Sequence, residues 1–342
     1  MPLPMTARRL PSSVTVRGHF NTCMIFVAYL VVINVITFAV YGLDKYKAGK
    51  QKWRISERTL LLLAFLGGSI GALLGMLIWH HKIRKPKFYL TVPLLCALLV
   101  GGIIYCLYQN NHLSVKVYET DLGLEKDVTI VQISDLHNKD FGDALIRKIS
   151  EQKPDLIAVT GDVVDSRHTD YEIALAFFRE AVKICPVYYV TGNHEERMNR
   201  VEIEAFYGKM GEMGVHDLNN AFTDQGEYVL AGIADRSLSG FPGFKNLDED
   251  KPMILLAHEP KYADRYKRLG ADVVLSGHIH GGQIIIPGKG GLLSPDGEFF
   301  PKYYGDMYDV DGMKLVVSRG LGNSILPLRI NNCPEIVVIK VH

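Results

Sequence analysis

The apolar positions of this chain follow two patterns, one in its first third and one in the remainder. Before residue 109, apolar residues form three long runs with few charges, at residues 24–40, 60–79 and 89–108. Each run approaches the roughly 20 residues that a helix needs to cross a bilayer. After residue 113 the runs are short, rich in β-branched residues and bounded by turn residues, which is typical of buried strands.

The short runs alternate with segments of helical periodicity, which predicts an α/β layered fold. Strands are predicted at residues 128–134, 156–160, 187–191, 253–257 and 272–276, and helices at 143–152, 171–182 and 199–213. Further strands at 228–231, 314–317 and 336–339 have no long helices between them, which predicts a second, more antiparallel sheet. The polar residues 109–112 are the candidate linker between the two parts.

Polar side chains that can bind metals directly follow five of the predicted strands. The carboxyl ends of strands in α/β sheets meet at one crevice, so these loops are expected to converge. Asp135 and His137, like His278 and His280, are two residues apart, and in extended backbone each pair projects from one strand face. Asp162 is the natural bridge, because one carboxylate can hold two cations about 3.5–4 Å apart. The candidate ligands are Asp135, His137, Asp162, Asn193, His258, His278 and His280.

The donor types indicate which ions these residues bind. Mixed imidazole, carboxylate and amide ligands suit Mn, Fe, Zn or Co better than the oxygen-only sites of Mg or Ca. Any one histidine has a structural alternative, since His258 before Glu-Pro can equally cap a helix. Seven compatible positions in five loops favour a site for two divalent transition metal ions.

The motifs, in chain order, are Asp-x-His at 135–137, Gly-Asp-x-x-Asp at 161–165, Gly-Asn-His-Glu at 192–195, a lone histidine at 258 and Gly-His-x-His at 277–280. In this order they resemble the calcineurin-like metallophosphoesterases, over roughly residues 113–342. The resemblance implies a two-sheet sandwich flanked by helices. It also implies hydrolysis of phosphoesters through attack by a metal-bound hydroxide.

The same resemblance assigns a role to each motif residue. It places Asp135, His137, Asp162 and His280 on the first metal, and Asp162, Asn193, His258 and His278 on the second. It identifies His194 as the catalytic histidine, which protonates the leaving oxygen or stabilises its charge. Asp165 is identified as the carboxylate that orients His194.

Three further segments narrow the resemblance to one branch of the family. Residues 277–283, 300–303 and 318–323 resemble membrane-associated bacterial phosphoesterases, some of them similar to UDP-2,3-diacylglucosamine pyrophosphatases. Protein phosphatases carry Asp-Arg-Gly where this chain has Asp165-Ser166-Arg167, so the arginine that grips phosphate would be displaced or absent. The N-terminal part resembles a small bacterial membrane domain of unknown function.

The predicted organisation is therefore a tail at residues 1–22, an α-helical transmembrane domain with three apolar segments at 23–108, and a phosphoesterase domain at 109–342. The paired arginines Arg8 and Arg9 leave a cleaved twin-arginine signal as the alternative for the first run, but the run is long and lacks a cleavage site. Gly67, Gly71 and Gly75 recur every four residues and predict close helix packing.

The orientation in the membrane stays open at this point, because both loops between the apolar runs are basic. If the second run crosses the bilayer, basic residues lie on both sides. If that run dips in and returns, both basic loops are cytoplasmic and the phosphoesterase domain lies outside. We expect a multi-pass membrane protein, with the extracytoplasmic face favoured for the domain, although nucleotide-linked lipid substrates would favour the cytoplasm.

Charge and cysteine content exclude some function classes. The net charge of +1 argues against a nucleic-acid partner. The five cysteines form no disulfide framework. Asp44 and His81 match no motif. We expect Asp44 to be a helix cap or a solvated charge, and His81 to be a surface or interfacial residue.

The expected function is hydrolysis of a phosphate or pyrophosphate ester in a small molecule or, since the chain has an anchor, a lipid or cell-envelope precursor. Two alternatives remain. The enzyme could be a general phosphodiesterase acting on soluble substrates. The domain could also regulate a transporter or scaffold formed by the membrane part, although no ionisable residue lies in the middle of an apolar run.

Overall fold

A computed structural model describes residues 19–167, 170–237, 240, 243–248, 250–323 and 328–342. By length and composition, three helical segments of these residues are apolar enough to cross a membrane: Met24–Gly49, Glu57–Ile78 and Pro86–Asn111. The individual helices are α1 His19–Gly49, α2 Glu57–Leu63, α3 Ser69–Ile78, α4 Pro86–Tyr89 and α5 Thr91–Asn111. Most of the predicted tail, including Arg8 and Arg9, lies outside the described residues.

The second apolar segment turns back on itself between α2 and α3. Its backbone leaves helical geometry at the turn, where Gly67 has a φ of +101° that favours glycine. The two ends of the segment meet at Asp44, whose carboxylate accepts a hydrogen bond from the Ile55 amide (2.9 Å) and lies 2.7 Å from His81 Nε2. An unbroken helix of this length would hold its ends about 30 Å apart. The segment is therefore a helical hairpin whose two ends lie side by side.

Charged residues close the open end of this hairpin. Lys82 Nζ lies 3.0 Å from Glu57 Oε1 and 3.6 Å from Asp44 Oδ2. Asp44 and His81 are buried, so the surface position expected for His81 is wrong. The two residues are enclosed because both ends of the hairpin converge on them, and a carboxylate is buried only when it is paired and hydrogen-bonded.

The glycines of the hairpin lie against α1. The Gly71 amide donates a hydrogen bond to Asn34 Oδ1 (2.7 Å). A Cβ atom added at Gly71 would lie 2.0 Å from the Asn34 carbonyl oxygen, and one added at Gly75 would lie 2.8 Å from Tyr41 Cβ. The four-residue glycine spacing thus brings two backbones into close contact.

We expect Gly71→Ala to lower the free energy of unfolding by about 1–3 kcal/mol, because the added methyl group collides with backbone. Gly101→Ala on α5 is the matched control, since a Cβ there meets nothing within 4 Å. Thermal unfolding of the full-length protein in detergent, followed by circular dichroism, measures the difference. Equal unfolding temperatures for the two variants would contradict the packing of α3 on α1.

The remainder of the chain forms two six-stranded sheets. Their order is β1-β14-β2-β3-β4-β5 and β12-β13-β9-β8-β7-β6, and β10 and β11 form a small hairpin. The strands are β1 Ser114–Thr120, β2 Val128–Ile133, β3 Leu156–Thr160, β4 Val187–Val190, β5 His216–Asp217, β6 Ala221–Asp224, β7 Val229–Ile233, β8 Met253–Ala257, β9 Val273–Ser276, β10 Ile285–Ile286, β11 Gly290–Gly291, β12 Met307–Val310, β13 Met313–Val317 and β14 Glu335–Val341.

The second sheet is mixed and has two antiparallel pairs against one among the described pairs of the first sheet, so it is more antiparallel, as predicted. Its inner pairs β13–β9, β9–β8 and β8–β7 are parallel, and only the edge pairs β12–β13 and β6–β7 are antiparallel. Parallel pairing needs a crossover of about a dozen residues or more, which residues 258–272 supply between β8 and β9. The predicted strand at 336–339 lies in β14 of the first sheet, where it pairs with β1 and β2, so its expected place in the second sheet is wrong.

The two sheets pack face to face with helices outside, as predicted. Between them lies an apolar layer that includes Ile130, Ala158 and Leu256. Other cores lie beneath the helices on each outer face. The helices of this part are α6 Asp143–Glu151, α7 Tyr171–Ala181, α8 Asn193–Glu196, α9 Arg200–Glu212 and α10 Ala263–Arg268.

Residues 109–112 do not form a linker. The first three of them are the last turn of α5, and the side chains of Gln109 and Asn110 are buried. The chain enters β1 only two residues after His112, at Ser114. The buried Gln109 side chain accepts a hydrogen bond from the Asn332 amide at 3.0 Å, which holds the helix against the two-sheet part.

Candidate metal centre

The structure brings all seven candidate ligands together at one end of the sandwich. β2, β3 and β4 are neighbours in the first sheet, and β8 and β9 are neighbours in the second. The seven side chains that follow these strands are all buried, with exposed fractions between 0% and 8%. The polar ends of five strands therefore form a single enclosed centre.

The backbone at these ligands differs from the extended conformation that was expected for each pair. The chain turns because the Asp135 amide donates to the Gly161 carbonyl and the His137 amide to the Asp162 carbonyl, both at 3.0 Å. Aspartate and histidine adopt the left-handed region more readily than most residues, and strain of this kind accumulates at functional sites. Positive φ angles of 45° to 69° occur at Asp135, His137, Asp162, His278 and His280.

A first cluster of donor atoms is formed by Asp135, His137, His280 and Asp162. The Nε2 atoms of His137 and His280 lie 3.1 Å apart. Asp135 Oδ1 lies 3.4 Å from His280 Nε2, and Asp162 Oδ2 lies 3.6 Å from His137 Nε2. These nitrogen and carboxylate oxygen atoms surround a point at which one cation can be bound.

A second cluster contains Asp162, Asn193, His258 and His278. His258 Nε2 lies 3.2 Å from Asp162 Oδ2 and 3.3 Å from Asn193 Oδ1. His278 Nδ1 lies 3.2 Å from the same amide oxygen. Asp162 Oδ2 therefore belongs to both clusters, which is the position that a bridging carboxylate requires.

The protonation of two candidate ligands, His137 and His280, suits metal binding. Burial lowers the pKa of His137 to about 3 and brings the pKa of His280 well below its usual value, so both rings are neutral. Metal ions bind deprotonated ligands, and two neutral nitrogen atoms 3.1 Å apart can share a cation far more favourably than they can face each other alone. The residues present fit a pair of transition metal ions.

His194 lies beside the clusters and contacts a carboxylate. Its Nδ1 atom is 3.3 Å from Asp165 Oδ1 and 3.1 Å from the Ser166 amide nitrogen. Burial lowers the pKa of His194, but the nearby Asp165 and Asp162 carboxylates outweigh it, and the net pKa is raised. The His194 amide donates to Asp162 Oδ1 at 2.8 Å, which ties the histidine to the shared carboxylate.

Glu195 is a supporting residue to which the sequence motif gave no role. Its buried carboxylate accepts hydrogen bonds from the amides of Asp162 (2.9 Å), Val163 (2.8 Å), Val164 (3.2 Å) and Gly192 (2.9 Å). Burial raises its pKa to about 7. Glu195 thus holds the loop after β3 against the start of α8.

The cleft above the clusters contains three charged residues that the sequence did not single out as ligands. Arg167 and Arg197 line the cleft together with Asp296. Arg167 follows Asp165 by two positions, one residue later than the arginine of an Asp-Arg-Gly motif. Asp296 comes from the long loop after the last histidine motif, and its Oδ2 lies 3.4 Å from His278 Nε2. Nothing in the sequence around Asp296 links it to the motifs.

Sequence comparisons agree with this geometry. The family model described as calcineurin-like phosphoesterase matches residues 128–282, and that of a protein family of unknown function, DUF1294, matches residues 34–88. The uncharacterized metallophosphoesterase Cj0846 of Campylobacter jejuni is 26% identical over 98% of this chain and 93% of its own length. The uncharacterized metallophosphoesterase YkuE of Bacillus subtilis is 31% identical over 70% of this chain and 90% of its own length.

The N-terminal part has a separate relative, the uncharacterized protein YsdA of Bacillus subtilis. The two are 46% identical over 25% of this chain and 96% of the relative. Neither the name of this relative nor that of the family matched there states an activity. The chain as a whole belongs to the calcineurin-like metallophosphoesterases, a family of metal-dependent phosphoester hydrolases.

Proposed function

We propose that this protein is a membrane-anchored hydrolase that cleaves a phosphate or pyrophosphate ester of a lipid or cell-envelope precursor at a centre of two transition metal ions. The observation that carries the proposal is the single oxygen, Asp162 Oδ2, that lies within 3.6 Å of His137 Nε2 and 3.2 Å of His258 Nε2. A carboxylate oxygen shared in this way supports two ions rather than one.

In this proposal Asp135, His137, Asp162 and His280 hold one ion, and Asp162, Asn193, His258 and His278 hold the other. When bound, such ions supply Lewis-acid stabilisation of the phosphoryl oxygens and activate water. Asp296 orients the His278 ring through Nε2, since ligating histidines commonly donate their other ring N–H to a carboxylate.

The remaining residues of the cleft act on the substrate directly. His194 donates a proton to the leaving oxygen, and Asp165 fixes the ring and stabilises its protonated form. Arg167 and Arg197 lie where their guanidinium groups can neutralise phosphate oxygens. Glu195 supports the loop that carries the shared carboxylate.

The hairpin supports an extracytoplasmic position for the catalytic part. Because α2 and α3 enter and leave on one side, α1 and α5 are the helices of the described part of the chain that cross the bilayer. The ten lysines and arginines between residues 45 and 87 then lie on one side, opposite both the N-terminal tail with three arginines and the catalytic part. The positive-inside rule assigns the ten basic residues to the cytoplasm.

Labelling of single cysteines with a membrane-impermeant maleimide in intact cells tests this orientation. We expect Val201→Cys, at a position 75% exposed on α9, to be labelled above the parent chain. Trp53→Cys, at a position 96% exposed in the first basic loop, should be labelled only after lysis. The reverse result would place the catalytic part in the cytoplasm.

The anchor motivates a lipid or envelope substrate, because an enzyme held at the bilayer meets amphiphilic molecules without extracting them. Purified full-length protein with Mn²⁺ should hydrolyse a lipid pyrophosphate more efficiently than bis-p-nitrophenyl phosphate, and EDTA should remove both activities. Comparable efficiency on the two substrates would instead favour the general phosphodiesterase. A chain that keeps its metals and hydrolyses neither would refute the enzymatic proposal.

A further inference from the structure

The last turns of α5 are bound to the catalytic part by side chains. The Tyr105 hydroxyl donates to Asn331 Oδ1 at 2.5 Å. Gln109 Oε1 accepts a hydrogen bond from the Asn332 amide at 3.0 Å, and the Lys139 ammonium donates to the Asn110 carbonyl. The membrane helix and the catalytic part therefore form one hydrogen-bonded unit at this point.

The loop that receives α5 also supports the metal centre. Asn332 Nδ2 donates to the carbonyl oxygen of His280 at 2.7 Å and to that of Gln283 at 3.1 Å. Two hydrogen bonds made by Asn332 thus connect the Gln109 side chain on α5 to the backbone of His280, a proposed ligand. The height of the centre above the bilayer is set by this connection.

The contact with Tyr105 fixes which surface of the catalytic part faces the bilayer. Tyr105 precedes the end of α5 by six residues, or about 9 Å along the helix. Asn331, which Tyr105 contacts, donates from Nδ2 to the Ile285 carbonyl at 3.1 Å. Tyrosines near the end of a membrane helix mark the level of the lipid head groups, so Ile285 lies close to that level.

An apolar surface continues from Ile285. The Leu292 amide donates to the Ile284 carbonyl at 2.8 Å, and the Phe300 amide donates to the Leu292 carbonyl at 3.1 Å. The neighbouring Phe299 and Phe300 are 68% and 46% exposed. We call the following residues the interfacial patch: Ile285, Ile286, Lys289, Phe299 and Phe300.

We propose that the interfacial patch rests on the bilayer surface, so that the metal centre takes its substrate from among the lipid head groups. This inference deepens the proposed function and depends on it in two respects, that α5 crosses the membrane and that the substrate is a lipid. Two exposed phenyl rings gain free energy by entering the interface, and Lys289 at the exposed turn between β10 and β11 complements anionic head groups.

The contact can be measured without any turnover, using the full chain in nanodiscs of phosphatidylcholine and phosphatidylglycerol. The fluorescence that Phe299→Trp adds to that of the parent chain is compared in ordinary lipids and in lipids with brominated acyl chains. We expect the added fluorescence to be lost in the brominated lipids, because bromine quenches a tryptophan that it contacts. Val201→Trp is the matched control, because α9 precedes β5, at the edge of the first sheet farthest from β1 and α5. Its added fluorescence should be unchanged. Equal emission of Phe299→Trp in both lipids would overturn the proposal.

Turnover supplies a second measurement that separates the patch from the chemistry. The double variant Phe299→Ser, Phe300→Ser should hydrolyse a lipid pyrophosphate in nanodiscs about tenfold less efficiently. Its hydrolysis of bis-p-nitrophenyl phosphate should equal that of the parent. An equal loss on both substrates would contradict a membrane role for the patch. A parent chain inactive on both would refute the proposed function and leave the fluorescence result interpretable.

Discussion

Asp162→Asn is expected to reduce turnover by on the order of 10³-fold or more, on every phosphoester substrate. The substitution keeps the shape of the side chain, and Oδ1 can still accept the hydrogen bond from the His194 amide. It removes the negative charge that both clusters share. The loss should therefore appear in kcat and in the content of bound metal, while the unfolding temperature measured after removal of metals from both proteins stays close to that of the parent.

Elemental analysis of the purified Asp162→Asn variant measures the second consequence. We expect at least one of the two ions to be lost, because an asparagine side chain that keeps Oδ1 on the His194 amide places an NH2 group where the shared Oδ2 was, and an amide NH2 does not bind a cation. Asp264→Asn, at an exposed aspartate on α10, is the matched control and should keep both metals and activity. Full activity of Asp162→Asn with two metals retained would exclude a bridging role.

His194→Gln is expected to lower kcat by about 10²–10⁴-fold on a substrate with an alkyl leaving group. The loss should be much smaller on bis-p-nitrophenyl phosphate, because nitrophenolate leaves without being protonated. Asp165→Asn should show the same dependence on the leaving group with a smaller loss, since Asp165 acts through the His194 ring at 3.3 Å.

The dependence on the leaving group distinguishes proton donation from a structural role. His216→Gln, at an exposed histidine that stacks on Tyr188, is the matched control and should leave both rates unchanged. If His194→Gln slowed both substrates equally, His194 would contribute to binding or to folding instead of protonating the leaving oxygen.

Most of the metal centre could be predicted from the residues that directly follow the predicted strands. A short apolar run followed at once by Asp, Asn or His is readable in sequence, and the parallel neighbours β2, β3 and β4 bring such positions together. The left-handed backbone at Asp135 and His137 was not readable, because it depends on hydrogen bonds to the loop after β3. The contribution of Asp296 depends on how a long loop folds back over His278.

In the N-terminal helices, too, some features could be predicted from the sequence and others could not. The spacing of Gly71 and Gly75 predicts close packing, and α3 does pack closely on α1. Length and apolarity alone could not distinguish a crossing helix from a hairpin. That distinction lies in contacts between residues far apart in sequence, where Asp44 binds Ile55 on one arm and His81 on the other.

The position of β14 determines when the enzyme can form during synthesis. β14 is the last strand in sequence, yet it lies between β1 and β2 and pairs with both. At translation rates of about 5–20 residues per second, roughly 10–50 s separate the emergence of α5 from that of residue 341. During that interval the first sheet is incomplete and the ligand loops lack their final framework. In the orientation proposed above, α1 and α5 are thus inserted, and the rest of the chain is transferred across the bilayer unfolded, before a phosphoesterase exists.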